Sequence, residues 1–312
     1  MKKILLILII LLLPYNIYSE ELIKLKLDNL QSINIVKFKG KKNPVLVVPP
    51  PGLNSKILFP SNKQGLLQQL NSEGFQLFVI EWNKLPLVYD NRMLSENLFK
   101  VVSWLQENKM TNLIILSYSI GGDITLDMLV NHPDINTKEI FIGVPFDFRY
   151  TPKLTSRWKN KIISNNLQLS ALEKLGKPFK NSNMNYLELL LLNYPLGIFT
   201  RKYFHNQWQE VGVSLLSDWQ KWLKTGYLWK NPKDKMKNIK SSSLWIAGEG
   251  DNFATHWMVK GGYDFWNGKK KYILIGRVNR YSKEVSHLGL IIGKVAQKEI
   301  SSDIVEWINN NN

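Results

Sequence analysis

Cysteine is absent from this chain, and histidine occurs only four times. The first absence excludes disulfide frameworks, thiolate zinc sites, thiol catalysis and a lipid anchor carried on cysteine. The second argues against a metal centre, because the four histidines are scattered and show no metal-ligand spacing. Acidic residues are also few, 25 against 41 Lys and Arg, which leaves a formal charge of +16. What the chain does have is apolar side chain, 44 % of its 312 residues. That is too much for a disordered chain despite the charge. A domain of this length buries roughly 75 % of its unfolded surface, so it needs no covalent staple. The basic balance does not indicate a nucleic-acid partner, since no recognised nucleic-acid motif accompanies it.

The N-terminus reads as an address. Lys2 and Lys3 precede an unbroken apolar run from Ile4 to Leu13, followed by Pro14 and a small residue at Ser19. This is the pattern of a secretory signal, and ten apolar residues are too few for a bilayer, which takes about 20. Residues 1–19 are expected to be removed, giving an exported, periplasmic or extracellular protein. An uncleaved segment that keeps the protein at the membrane is the alternative, because Ile17 is bulkier than the residue usual before a cleavage site.

Beyond it, short β-rich runs alternate with helical periods. The runs are Pro44–Val48, Phe75–Trp82, Leu113–Tyr118, Glu139–Val144, Ser243–Gly248 and Tyr272–Val278. They are almost continuously apolar, as strands buried on both faces are. Helical patterns lie at Gln64–Glu73, Leu94–Glu107, Ile120–Asn131 and Ala296–Asn309. Such alternation predicts an α/β fold with a mostly parallel sheet. Residues 22–40 alternate apolar and polar side chains and suit one or two antiparallel strands. Residues 145–240 break the rhythm: they hold five tryptophans and helical patterns but no clear strand. They are expected to form a helical cap inserted into a core made of residues 20–144 and 241–312.

The sharpest local feature is Leu113-Ile-Ile-Leu-Ser-Tyr-Ser-Ile-Gly-Gly-Asp123. An apolar strand runs directly into a Ser-x-Ser-x-Gly turn and then a helix. This is the nucleophile-elbow pattern Gly-x-Ser-x-Gly with Ser117 in the first glycine position. The flanking residues must be small because the turn packs against neighbouring backbone. Ser119 is the candidate nucleophile. The helix that follows aims the Ile120 N–H, backed by the helix dipole, at a developing oxyanion.

A nucleophilic serine needs a base and an orienting acid. His132, after the elbow helix, reads as a helix-end residue. His205 lies in the insertion, and His256 in the first turn of a helix. His287, in Val285-Ser-His-Leu-Gly289, follows the last strand and is the candidate base. Asp251, directly after the strand Ser243–Gly248, is the favoured acid, and Ser119, Asp251, His287 is the hydrolase order. Asp147 is the rival acid and Glu249 a weaker one. The second oxyanion donor is expected from Pro49-Pro-Pro-Gly-Leu-Asn54. Proline has no N–H, which leaves Gly52 or Leu53.

These residues resemble the α/β-hydrolase superfamily over nearly the whole mature chain. Two stretches are similar to its polyhydroxyalkanoate synthase-like and acid lipase-like branch: Val45-Leu-Val-Val-Pro-Pro with Phe78-Val-Ile-Glu-Trp82, and the His-containing stretch from Ser286 to Glu299. The resemblance implies the α/β-hydrolase fold, a sheet of about eight strands with the insertion as cap, and Ser119, Asp251 and His287 as nucleophile, acid and base. The synthases use a cysteine nucleophile and this chain has none, which points to hydrolysis. Pro51-Gly52 stands where His-Gly is common in the oxyanion loop.

The expectation is therefore an exported serine hydrolase of carboxylic esters, lipase-like or esterase-like, needing no cofactor and no metal. Its partner is a small-molecule or lipid ester. Two alternatives stand beside it: a non-catalytic envelope protein on a hydrolase scaffold, and an acyltransferase. The apolar stretch Tyr186–Phe199 suits a cap over an acyl pocket, or simple packing onto the core. Residues 151–180 carry seven Lys and Arg against Glu173 alone, which would favour contact with an anionic membrane or envelope surface. A solvated basic face is the other reading.

Overall fold

A computed structural model describes residues 20–27, 32–51, 53, 55–59, 64–82, 90–151 and 213–311. The expected signal segment, Gly52, and the apolar and basic stretches of the insertion lie outside the described residues. Eight strands form one sheet in the order β1-β2-β4-β3-β5-β6-β7-β8. They are β1 (Glu20–Lys26), β2 (Ser32–Phe38), β3 (Lys42–Val48), β4 (Phe75–Glu81), β5 (Ile114–Tyr118), β6 (Lys138–Ile142), β7 (Ser243–Gly248) and β8 (Lys270–Ile275). β1 and β2 pair antiparallel, as the alternation in residues 22–40 predicted, and β2 pairs antiparallel with β4. Every other pairing is parallel.

The continuous apolar runs have the physical cause expected of them. Successive side chains of a strand point to opposite faces. Val45 and Val47 of β3, with Ile114 and Leu116 of β5, pack on one side with the helix Leu66–Ser72 and the C-terminal helix Ser301–Asn309. Leu46, Val48 and Ile115 pack on the other with the helices Asn91–Glu107 and Ile120–Asn131. Both faces are covered, so neither may be polar.

Three strand ends make the functional edge. β5 passes directly into the helix Ile120–Asn131, here the elbow helix. β7 and β8 end in loops at the same carboxyl edge, where open α/β sheets bind ligands. Between β6 and β7 the described residues hold a helix at Val213–Thr225 and a short one at Pro232–Met236. The expected C-terminal helix is divided, with Ala296–Ile300 wound as a π-helix before Ser301–Asn309. Among the described residues no helix is long and apolar enough to cross a membrane.

One buried group at the opposite edge sets a pH dependence. Glu139 on β6 is fully buried, and its Oε1 accepts a bond from Thr137 Oγ1 at 2.6 Å. Burial pushes its carboxyl up from 4.5 to about 8. Below pH 4.5 both folded and unfolded chains hold this proton. As pH rises toward 8 the unfolded chain releases it while the folded chain does not, so stability falls through that window. Glu139→Gln is therefore expected to leave the unfolding midpoint unchanged near pH 4.5 and to raise it by at least about 2 °C at pH 8. Thermal unfolding followed by circular dichroism at the two pH values checks this; equal midpoints at pH 8 would contradict it.

Candidate active site

The site is built on backbone strain at Ser119. Its φ of 53° and ψ of −135° lie where a residue with a side chain rarely sits. Several contacts hold it there. Ser119 N–H donates to Ile142 O of β6 at 3.0 Å. A Cβ on Gly121 would lie 2.1 Å from Val48 O, so only glycine lets the elbow helix close onto the end of β3. Ser117, in the other small-residue position, is fully buried, and its hydroxyl pairs with Thr125 Oγ1 one helical turn beyond Gly121, at 2.8 Å. Thr125 in turn donates to Gly121 O at 3.0 Å. A serine is therefore satisfied where the pattern usually has glycine.

The structure brings Ser119, His287 and Asp251 together from three strand ends. Ser119 Oγ is 2.9 Å from His287 Nε2, and His287 Nδ1 is 2.7 Å from Asp251 Oδ2. With the proton on Nδ1 held by the carboxylate, Nε2 presents its lone pair to the serine hydroxyl. The other oxygen of Asp251 accepts the N–H groups of Phe253 and Ala254 at 2.8 and 2.9 Å. All three side chains are buried, leaving Ser119 4 %, Asp251 3 % and His287 8 % exposed.

The rival acid is used elsewhere. Asp147 takes Arg149 Nε and Nη2 at 2.9 and 2.7 Å and has no contact with the imidazole. That pair fastens the chain after β6 to Tyr227, just beyond the helix Val213–Thr225, and Arg149 lies over the Tyr227 ring at 4.5 Å. His132 stacks on Phe99 and faces Glu96, and His256 opens the helix His256–Phe265. His205 lies outside the described residues.

The oxyanion donors divide. Ile120 N–H stands at the first position of the elbow helix and has no intrahelical acceptor. Leu53 does not fit the role expected of it, because its N–H donates to Pro50 O at 3.1 Å across a turn. Gly52, the other candidate, lies outside the described residues.

Three side features of the site were not singled out from the sequence. Tyr118, immediately before Ser119, stacks on the imidazole with centroids 5.0 Å apart and donates its hydroxyl to His287 O at 3.1 Å. Burial, and then the nearby Asp251 charge, push its phenol well above the ordinary value, so it remains a donor. Phe253 covers the ring from another side at 4.8 Å. Gly143, at a φ of 58°, makes room: a Cβ there would stand 3.1 Å from the imidazole. The position of Tyr118 beside Ser119 was the one available signal. Among the described residues no cluster of His, Asp and Glu could hold a metal ion.

Comparison with solved structures places this architecture. A monoglyceride lipase from Saccharomyces cerevisiae, in a soluble variant, superposes with a TM-score of 0.69 at 14 % identity, over 94 % of this chain and 97 % of that one. An esterase from Exiguobacterium antarcticum gives 0.64 at 16 % identity, over 92 % and 98 %. A putative non-heme bromoperoxidase from Mycobacterium tuberculosis H37Rv gives 0.63 at 11 %, over 90 % and 96 %. No protein-family model matches the sequence, and no curated protein is similar enough to match. The chain has the α/β-hydrolase fold, with the eight-stranded sheet that the sequence led us to expect.

The tightness of the elbow is open to test. Gly121→Ala should lower unfolding stability by more than about 3 kcal/mol, because its Cβ meets backbone that cannot give way. Urea unfolding measures it, and a wild-type midpoint would mean that the elbow does not approach Val48 this closely.

Proposed function

We propose that this protein is a serine hydrolase of carboxylic esters. The observation that carries the reading is the relay from Ser119 through His287 to Asp251, with contacts of 2.9 and 2.7 Å. Hydrolysis of this kind needs a serine whose proton has somewhere to go and a base held in one tautomer. Esterases and a lipase among the structural neighbours agree with it.

In this reading Ser119 Oγ attacks the ester carbonyl while its proton passes to His287 Nε2. Asp251 steadies the imidazolium, and Ile120 N–H faces the oxyanion. Collapse of the tetrahedral intermediate expels the alcohol, which takes the proton from Nε2. Water then attacks the acyl-serine with His287 again as base. A second oxyanion donor would come from the loop around Gly52 and contribute a factor of about 10²–10³. Export follows from the N-terminal signal pattern of residues 1–19, and contact with an anionic envelope surface from the basic stretch at residues 151–180; both are part of the same proposal.

Purified protein without residues 1–19 should hydrolyse short-chain nitrophenyl esters and be labelled by a fluorophosphonate. Ser119→Ala is expected to abolish labelling and to lower kcat/KM by about 10⁴ or more, with His287→Ala close behind and Asp251→Asn lower by about 10³–10⁴. Asp147→Asn should stay within about threefold of wild type, since that carboxylate touches Arg149 and not the base. Activity of Ser119→Ala within tenfold of wild type would remove Ser119 as nucleophile. A folded wild type that neither labels nor hydrolyses would favour the non-catalytic scaffold.

A further inference from the structure

We infer that two copies of this protein pair along the outer edge of β1, antiparallel about a two-fold axis, and so join their sheets. The inference does not involve the Ser119 site, since β5 lies four strand positions from β1. β1 is the outermost strand of the described sheet and pairs with β2. An antiparallel strand turns the N–H and C=O of every second residue to each side, so about half of the backbone groups of β1 face outward. Such an edge is a template for another strand. Its register with β2 is unbroken from Glu20 to Lys26, so no bulge or proline turns the edge away.

Charge decides what can use the edge. Lysines commonly guard an edge strand by repelling a second copy. In Glu20-Glu-Leu-Ile-Lys-Leu-Lys26 the acids stand at one end and the lysines at the other. Antiparallel self-pairing centred on Ile23 therefore places Glu20 of each copy opposite Lys26 of the other. The axis generates this opposite-charge pair twice. The charges are available for it. Glu21 is engaged with Lys37 of β2 at 2.8 Å, whereas Glu20, Lys24 and Lys26 are exposed and have no ion pair among the described residues. The strand at the other edge, β8, carries Lys270 and Lys271 and no acid, so it offers a second copy no opposite charge.

The same register treats the apolar side chains well. Leu22 is 55 % exposed, and in the pair it lies opposite Lys24 of the second copy, whose methylenes cover it. On the other face Ile23 meets its own copy at the axis, beside Leu25, and both already pack against the core. Seven paired residues make about six to eight backbone hydrogen bonds over roughly 24 Å. A contact one strand long is small beside a standard interface of about 1,600 Å², so the dimer is reversible, with a dissociation constant on the order of micromolar.

The test is sedimentation of the purified protein, tagged at its C-terminus, over a concentration series. Wild type should pass from monomer to dimer in the micromolar range. Glu20→Lys and Lys26→Glu each turn both attractive pairs into repulsive ones and should raise the dissociation constant about tenfold or more. Mixing the two single variants should restore association, because each supplies the charge that the other lacks. The absence of cysteine gives a second measurement. Residues directly opposite in an antiparallel pair have Cα atoms about 4.5–5.5 Å apart, within reach of a disulfide. Ile23→Cys should therefore cross-link into a covalent dimer under mild oxidation. Leu25→Cys should not, because its two copies stand about 13 Å apart along the strand.

A protein that stays monomeric up to about 500 μM overturns the inference. So does a dimer that ignores both charge reversals, or one in which Leu25→Cys cross-links as readily as Ile23→Cys. Should a charge variant fail to fold, the two cysteine variants still decide. A monomer that hydrolyses esters sinks this inference alone, and an inactive dimer sinks only the hydrolase reading.

Discussion

The rest of the site depends on one strained residue. Ser119 holds a backbone conformation that costs on the order of 1–3 kcal/mol, and the surrounding structure has to over-determine it. It does so from three directions: the Ile142 carbonyl accepts the Ser119 N–H, Val48 O lies against the bare face of Gly121, and the Ser117–Thr125 pair ties the strand end to the helix one turn on. Each contact comes from a different segment, β6, β3 and the elbow helix itself. The turn exists because the parallel sheet puts those segments side by side. The strain is therefore maintained largely by the fold's long-range order, and the hydroxyl stands at the sheet edge facing His287.

His287 needs as much support, because it comes from a long connection with no strand to hold it. Between β8 and His287 the chain runs through a short 3₁₀ turn and an open loop. Tyr281 donates to Asp303 at 2.8 Å, and Ser282 N–H donates to Glu299 Oε2 at 2.9 Å, so the C-terminal helical region grips the middle of the loop. Glu299 belongs to the π-wound segment, and such segments are frequent near functional sites. At the loop's end Tyr118 takes over, holding the carbonyl of His287 and covering its ring. Tyr118, one residue before Ser119, thus holds His287 in place.

How much of this was legible in the sequence follows from the range of each interaction. The strands of the sheet were visible as apolar runs because burial on both faces leaves no polar position to confuse the period. The elbow was visible because strand, turn and helix are contiguous and their small residues fall within five positions. Ser119, Asp251 and His287 could be ordered along the chain because each follows a strand. What could not be read was pairwise geometry. Nothing local distinguishes Asp251 from Asp147, since both follow buried strands. The difference lies in which strand end faces β5 and in the Arg149 guanidinium that occupies Asp147. Leu53 does not fit as a donor because its N–H turns back on Pro50 O, three residues earlier.

Buried carboxylates make the same point about context. Asp123 lies on the elbow helix, four residues past Ser119, is fully buried, and has no hydrogen-bond partner on either oxygen among the described residues. Burial, reinforced by Asp127, pushes its carboxyl well above the ordinary range. Asp251 is buried almost as deeply, but two backbone N–H groups and an imidazole converge on it. Both residues are aspartates beside the same site, and both stand next to glycine. A buried charge is tolerated only where donors meet it. Asp251 is the one that donors meet, because its loop, Gly248 to Ala254, turns two backbone N–H groups onto the carboxylate.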